Sequence, residues 1–174
     1  MAHPHPHGHV PPPQQPAHAQ PPFHRPPPGS ARAGVPLTGP HPVGAHGPGS
    51  ARYWQADPDE RQMAMFVHLG ALLTGFIVPL VLFVLKKDES PFIRDHARHA
   101  LNAQISYLLW TIAGFIVFGI LGFVLALVTF GLGFVIVYAA LLPLLALAAF
   151  EIIACVKANE GAGYRIPLVI EFIR

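Results

Sequence analysis

Leu101 to Phe150 reads LNAQISYLLWTIAGFIVFGILGFVLALVTFGLGFVIVYAALLPLLALAAF, 50 residues without an Asp, Glu, Lys, Arg or His. A single helix of that length would reach roughly 75 Å, more than twice a hydrocarbon core of about 30 Å, so the stretch has to fold back on itself. The break belongs at Thr129-Phe130-Gly131-Leu132-Gly133, where closely spaced glycines permit a tight turn. The reading is a helical hairpin with arms at about 101–128 and 134–156. Gly119, Gly122 and Ala126 share a face of one arm, and Ala139, Pro143 and Ala146 share a face of the other. Small residues at that spacing let two backbones approach closely, although an Ala-rich and Gly-rich chain also places them there by chance.

On the N-terminal side, Met63 to Leu85 carries no formal charge, and 23 residues reach about 34 Å, enough for a first span. Asp57 or Asp59 supplies an N-cap, Glu60 complements the helix dipole, and Pro79 is expected to bend the span. Between the first span and the hairpin, Ser90-Pro91-Phe92-Ile93-Arg94-Asp95-His96-Ala97-Arg98-His99-Ala100-Leu101 reads as an interfacial amphipathic helix with Ser90 as N-cap and Pro91 at its first position. The expected fold class is therefore an all-α membrane protein with three transmembrane helices, at about 63–85, 101–128 and 134–156.

Composition agrees. The chain of 174 residues is 52% hydrophobic and 11% charged, with a mean hydropathy of +0.45, whereas water-soluble domains carry about 25% charged residues. A net charge of +2 gives no basic excess for nucleic acid. The lone Cys155 builds neither a disulfide nor a cysteine-based zinc site.

Residues 1–56 form a second regime. Met1 to Arg52 holds 15 Pro, 7 Gly and 8 His with only three formal charges, too little apolar surface to offset about 1 to 2 kcal/mol of backbone ordering entropy per residue. A disordered Pro/Gly/His-rich tail with local polyproline II is expected. Its start has neither the basic n-region nor the apolar h-region of a secretory signal. His3, His5, His7 and His9 offer adaptable metal binding at most.

Lys86, Lys87, Arg94 and Arg98 follow the first span, and Lys157, Arg165 and Arg174 follow the third. With three spans the positive-inside rule puts these seven residues in the cytoplasm and the tail outside, in a multi-pass protein of the bacterial cell membrane.

Chemistry-bearing residues are few. Lys86, Lys87, Arg94, Asp95, Arg98, His99, Asn102, Gln104 and Glu151 gather at one membrane surface as a candidate interfacial polar cluster. An intramembrane carboxylate is costly alone, so Glu151 is expected to pair with Arg98 or to hydrogen-bond His99 or Asn102. His96 and His99 sit at metal-ligand spacing, but two ligands are not a site. His68, 17 residues or about 26 Å of helix from Leu85, is expected near the opposite membrane surface. No hydrolase elbow, phosphate loop or HExxH pattern is present, and the acids are not paired for acid–base work. The expectation is a non-enzyme with no cofactor and no resident metal.

His68-Leu69-Gly70, Pro79-Leu80, Lys86-Lys87-Asp88, Ser90-Pro91-Phe92, His96-Ala97, Ala100-Leu101-Asn102-Ala103-Gln104 and Gly163-Tyr164-Arg165-Ile166-Pro167 occur in an order that resembles a domain-of-unknown-function family of small bacterial membrane proteins. That family is Tic-twenty-like, related to a component of the plastid inner-envelope import channel. The resemblance implies a helical membrane domain over 57–174 and supplies no catalytic residues. The function expected from the sequence is a membrane scaffold or translocon-like accessory working through helix–helix contacts. Its partners would be the lipid bilayer and further copies of itself or other membrane proteins. The alternative is a small oligomeric permease or channel lined by Asn102, Gln104, Ser106, Thr111 and Tyr138.

Overall fold

The structure, a computed structural model, describes residues 34–173. The polyproline runs and the histidines of the first ten residues lie outside that range. The described residues are helical and irregular, without strands. Five α-helices follow one another: α1 (Ala51–Trp54), α2 (Pro58–Thr74), α3 (Ile77–Lys86), α4 (Pro91–Val128) and α5 (Leu142–Asn159), with a 3-10 stretch at Leu132–Leu141 leading into α5.

α2 opens with a capping box. Asp57 Oδ1 accepts from the Glu60 amide at 2.8 Å, and the Asp57 amide donates to Glu60 Oε2 at 3.0 Å, with Pro58 in the first turn. It ends at Gly75, whose φ of 65° and ψ of −127° suit glycine alone. The chain then reverses. Gly70 faces Val78 so closely that an added Cβ would overlap the valine side chain. Pro79 falls in the first turn of α3, where its missing N–H breaks no intrahelical bond, so it does not bend a span.

This reversal corrects the three-span expectation. α2 is about 26 Å long and begins with charged residues, α3 is about 15 Å long, and neither crosses about 30 Å of hydrocarbon. Together they form a short helical hairpin. Two helices are long and apolar enough to cross a membrane, Pro91–Val128 and Leu132–Asn159. Only 11% of either apolar window is covered by protein, the opposite of a soluble core helix. They meet as a hairpin at the expected glycine turn, with Phe130 and Gly131 at φ 53° and 94°. Gly114 lies against Ala140, with an added Cβ at 3.3 Å from its Cα, and Gly122 lies against Ile136, Val137 and Gly133. Gly119 touches nothing within 4 Å.

The expected interfacial helix is also revised. Ser90 does cap it, accepting from the Ile93 amide at 3.2 Å, but residues 91–128 continue without a break as α4. Its first turns are buried on nearly every side, because the α2–α3 hairpin and the segment 35–56 pack around them.

That segment is a strap. Trp54 Nε1 donates to the Ala45 carbonyl at 2.6 Å, and Val35, Ala45, Trp54 and Ala56 form a core with Ala64, Phe92 and Ala158. Gly163 binds it from the other side, through the Gly47 amide at 3.1 Å and the Ser50 hydroxyl at 3.1 Å. Packing thus begins well before the composition change near residue 56. It also places the described part of the N-terminal region at the same end as Lys86, Arg98 and Lys157, against the expectation of opposite sides.

The C-terminal residues dip beside α4 and return. Tyr107 and Trp110 donate to the carbonyls of Pro167 and Leu168 at 3.0 and 3.1 Å, and Ser106 accepts from the Ile170 amide at 2.8 Å. Asn102 accepts from the Phe172 and Ile173 amides at 3.1 and 2.8 Å and donates to the Ile173 carbonyl at 2.9 Å. Side chains of α4 thus hydrogen-bond the backbone of this irregular segment.

Two outcomes are expected. In a Cys155→Ala background, Val43→Cys and Glu171→Cys label from one side of sealed vesicles with an impermeant maleimide, and Phe130→Cys labels from the other. Asn102→Leu, which strands three backbone groups at about 1 to 3 kcal/mol each, lowers the thermal midpoint in detergent.

Candidate functional site

Two clusters of ionisable side chains occupy the basic end of the molecule. The deeper one joins three helices. His68 of α2 places Nδ1 2.7 Å from Glu151 Oε2 of α5, and Nε2 2.8 Å from His96 Nδ1 of α4. Gln104 completes the far side, donating to Glu151 Oε1 and to the Ala71 carbonyl, each at 3.3 Å. His68, His96 and Glu151 are each at most 1% exposed. The helices come close because alanines line the contact, with Ala71, Ala97 and Ala100 packed around Val67. Phe92 stacks edge-on against His96 at 4.5 Å between centroids and sits in turn against Trp54 of the strap.

The second cluster ties the strap to α4. Asp95 Oδ2 lies 2.8 Å from His46 Nε2 and 3.3 Å from His99 Nδ1, while Arg98 donates to Oδ1 at 2.8 Å. His99 Nδ1 also donates to the Asp95 carbonyl at 2.9 Å. Beside it a cavity of about 170 Å³ is lined by His41, Arg94, Asp95 and Arg98 together with Thr38 and Gly39. His41 Nδ1 meets the Tyr53 hydroxyl at 2.9 Å. Burial pushes the His41 imidazole below its ordinary value, outweighing the upward pull of Asp95. Burial, then the charge of Asp95, raises the Tyr53 phenol.

The nine residues singled out from sequence do not form one cluster. Lys86 pairs with Glu89 at 2.6 Å and Arg94 with Asp88 at 3.7 Å, both at the periphery, where the Lys87 carbonyl accepts from Arg94 at 3.4 Å. Asp95, Arg98 and His99 form the strap cluster, Asn102 holds the C-terminal segment, and Gln104 and Glu151 belong to the deep chain.

Glu151 is not paired with Arg98, His99 or Asn102; its partners are His68 and Gln104. The distance argument that removed His68 assumed a straight helix from 63 to 85, and the reversal at Gly75 brings His68 back to the basic end. His96 and His99 turn to different partners, so they do not share a site. His46, inside the Pro/Gly/His-rich region, was missed altogether. The polar residues of the channel reading are otherwise engaged: Asn102 and Ser106 bind the C-terminal segment, Thr111 bonds back to the Tyr107 carbonyl at 2.8 Å, and Tyr138 is exposed on the outer face.

Removing one member of a buried hydrogen-bonded pair leaves the other without its partner, at about 1 to 3 kcal/mol. His68→Leu alone is therefore expected to destabilise the detergent-solubilised protein more than His68→Leu combined with Glu151→Leu. Equal or additive losses in a thermal-unfolding double-mutant cycle would contradict the direct contact.

The family comparison gives a consistent frame for this architecture. Residues 59–173, about two thirds of the chain and all of α2 to α5 except Pro58, match the magnetosome magnetite crystal formation protein family, MamF/MmsF. Comparison with curated proteins and with solved structures gives no match. The match points to a different family and replaces the Tic-twenty-like resemblance. The chain belongs to the MamF/MmsF family.

Proposed function

We propose that this chain is a non-enzymatic, multi-pass protein of a bacterial membrane that supports magnetite crystal formation as a membrane scaffold. The family match over residues 59–173 carries the mineral part of this reading. The scaffold part rests on how the polar side chains are used. Those of the deep chain and of the C-terminal contact tie α2, α4, α5 and the C-terminal segment to one another. What α4 and α5 leave open is an apolar surface, suited to lipid and to neighbouring membrane helices. Its partners would be further copies of the chain or other proteins of the same membrane.

The test is deletion of the gene in its native host, followed by electron microscopy of the iron-oxide particles and by complementation. Deletion is expected to change crystal size or number, and the intact chain to restore them, with the protein sedimenting in the membrane fraction that surrounds the crystals. Crystals indistinguishable from wild type would refute the mineral role. In vivo crosslinking from the exposed faces of α4 and α5 should capture the same membrane protein repeatedly; capture of lipid alone would refute the scaffold.

A further inference from the structure

We propose that His46, Asp95 and His99 form a binding site for a divalent first-row transition cation, with the strap and α4 both contributing ligands. One donor atom from each of the three residues lies within 4.8 Å of the others. Asp95 Oδ2 is central, 2.8 Å from His46 Nε2 and in contact with the His99 ring. Donors bound about 2.0 to 2.2 Å from a shared ion stand roughly 3 Å apart, a spacing that Asp95 Oδ2 and His46 Nε2 already meet, and His99 completes the set from within 4.8 Å. Two imidazoles and one carboxylate favour zinc or ferrous iron over calcium or magnesium, which take oxygen ligands.

Three further observations support the site. Arg98 holds Asp95 Oδ1 at 2.8 Å, fixing the carboxylate so that Oδ2 faces the histidines. His99 gives Nδ1 to the Asp95 carbonyl, and its Nε2 is buried with no hydrogen-bond partner among the described residues. A buried ring nitrogen without a partner is uncommon, and a ligand histidine typically binds its ion through one nitrogen and a backbone carbonyl through the other. The adjoining cavity of about 170 Å³ reaches Asp95 and has room for waters to complete the coordination.

Binding takes both imidazoles as neutral donors. The proton now shared between His46 Nε2 and Asp95 Oδ2 shifts to His46 Nδ1 or leaves to solvent. The cation would fasten residues 35–56 to α4 more firmly than the present hydrogen bonds. The site stands on this geometry and does not depend on the mineral role proposed above.

The test uses the full chain in detergent, stripped with chelator, with His3, His5, His7 and His9 replaced by Ala so that the N-terminal histidines do not compete. Equilibrium dialysis against Zn2+, and anaerobically against Fe2+, followed by elemental analysis, should find one ion per chain. His46→Ala and His99→Ala should each weaken binding at least about tenfold while the helical circular dichroism is kept. Absence of a stoichiometric ion, or unchanged affinity in both variants, would overturn the proposal. Where a variant fails to fold, Co2+ added to the unsubstituted site in a Trp110→Phe background gives the answer. Trp54 lies 6.1 Å from the His46 ring, so its emission should quench to saturation at one equivalent, and no quenching overturns the site.

Discussion

His68 is the hinge of the architecture. Its imidazole is completely enclosed, and each ring nitrogen faces one partner on a different helix, Glu151 on one side and His96 on the other. At so enclosed a position a lost partner leaves an unsatisfied polar group, so the chain of three side chains fixes rotation and height among α2, α4 and α5. The alanines around it follow from that requirement, because the ring reaches both partners only if the backbones approach closely. The same requirement sets the length of α2. The helix carries His68 to the level of His96 and then has to turn back, which Gly75 and the bare side of Gly70 permit.

The polar and apolar parts of the molecule are thereby separated along its long axis. At the basic end, helix starts, helix ends, the strap and the C-terminal turn interlock through buried hydrogen bonds. Beyond it only α4 and its partner arm continue, packed on each other through glycines and alanines and otherwise bare. Lipid is the solvent that makes such a surface stable, since in water that apolar area would drive association.

The sequence makes the membrane hairpin legible because its cause is local: a charge-free run too long to be one span, broken by glycines at its middle. The caps of α2 and α4 are legible for the same reason, each written in adjacent residues such as Asp57-Pro58-Asp59-Glu60 and Ser90-Pro91. The short helical hairpin was hidden because Met63 to Leu85 has the right length and hydropathy for a span. Only the Thr74-Gly75 pair, with Pro79 shortly after, hints that the run is two short helices. The site was misread through that same error: once His68 was assigned to the wrong surface, Glu151 had no visible partner but Arg98, His99 or Asn102. His46 gave no signal at all, since a histidine among prolines and glycines looks like its neighbours until tertiary packing selects it.

The contact between α4 and residues 167–173 bears on the timing of biogenesis. Asn102, Ser106 and Trp110 recur every fourth residue, so they line one side of α4 and keep hydrogen-bonding capacity open until residues 167–173 are translated. Insertion of the long hairpin into the bilayer therefore precedes closure of its flank. A nascent chain passes through a stage with a polar seam facing lipid or an insertion factor, which residues 167–173 later cover.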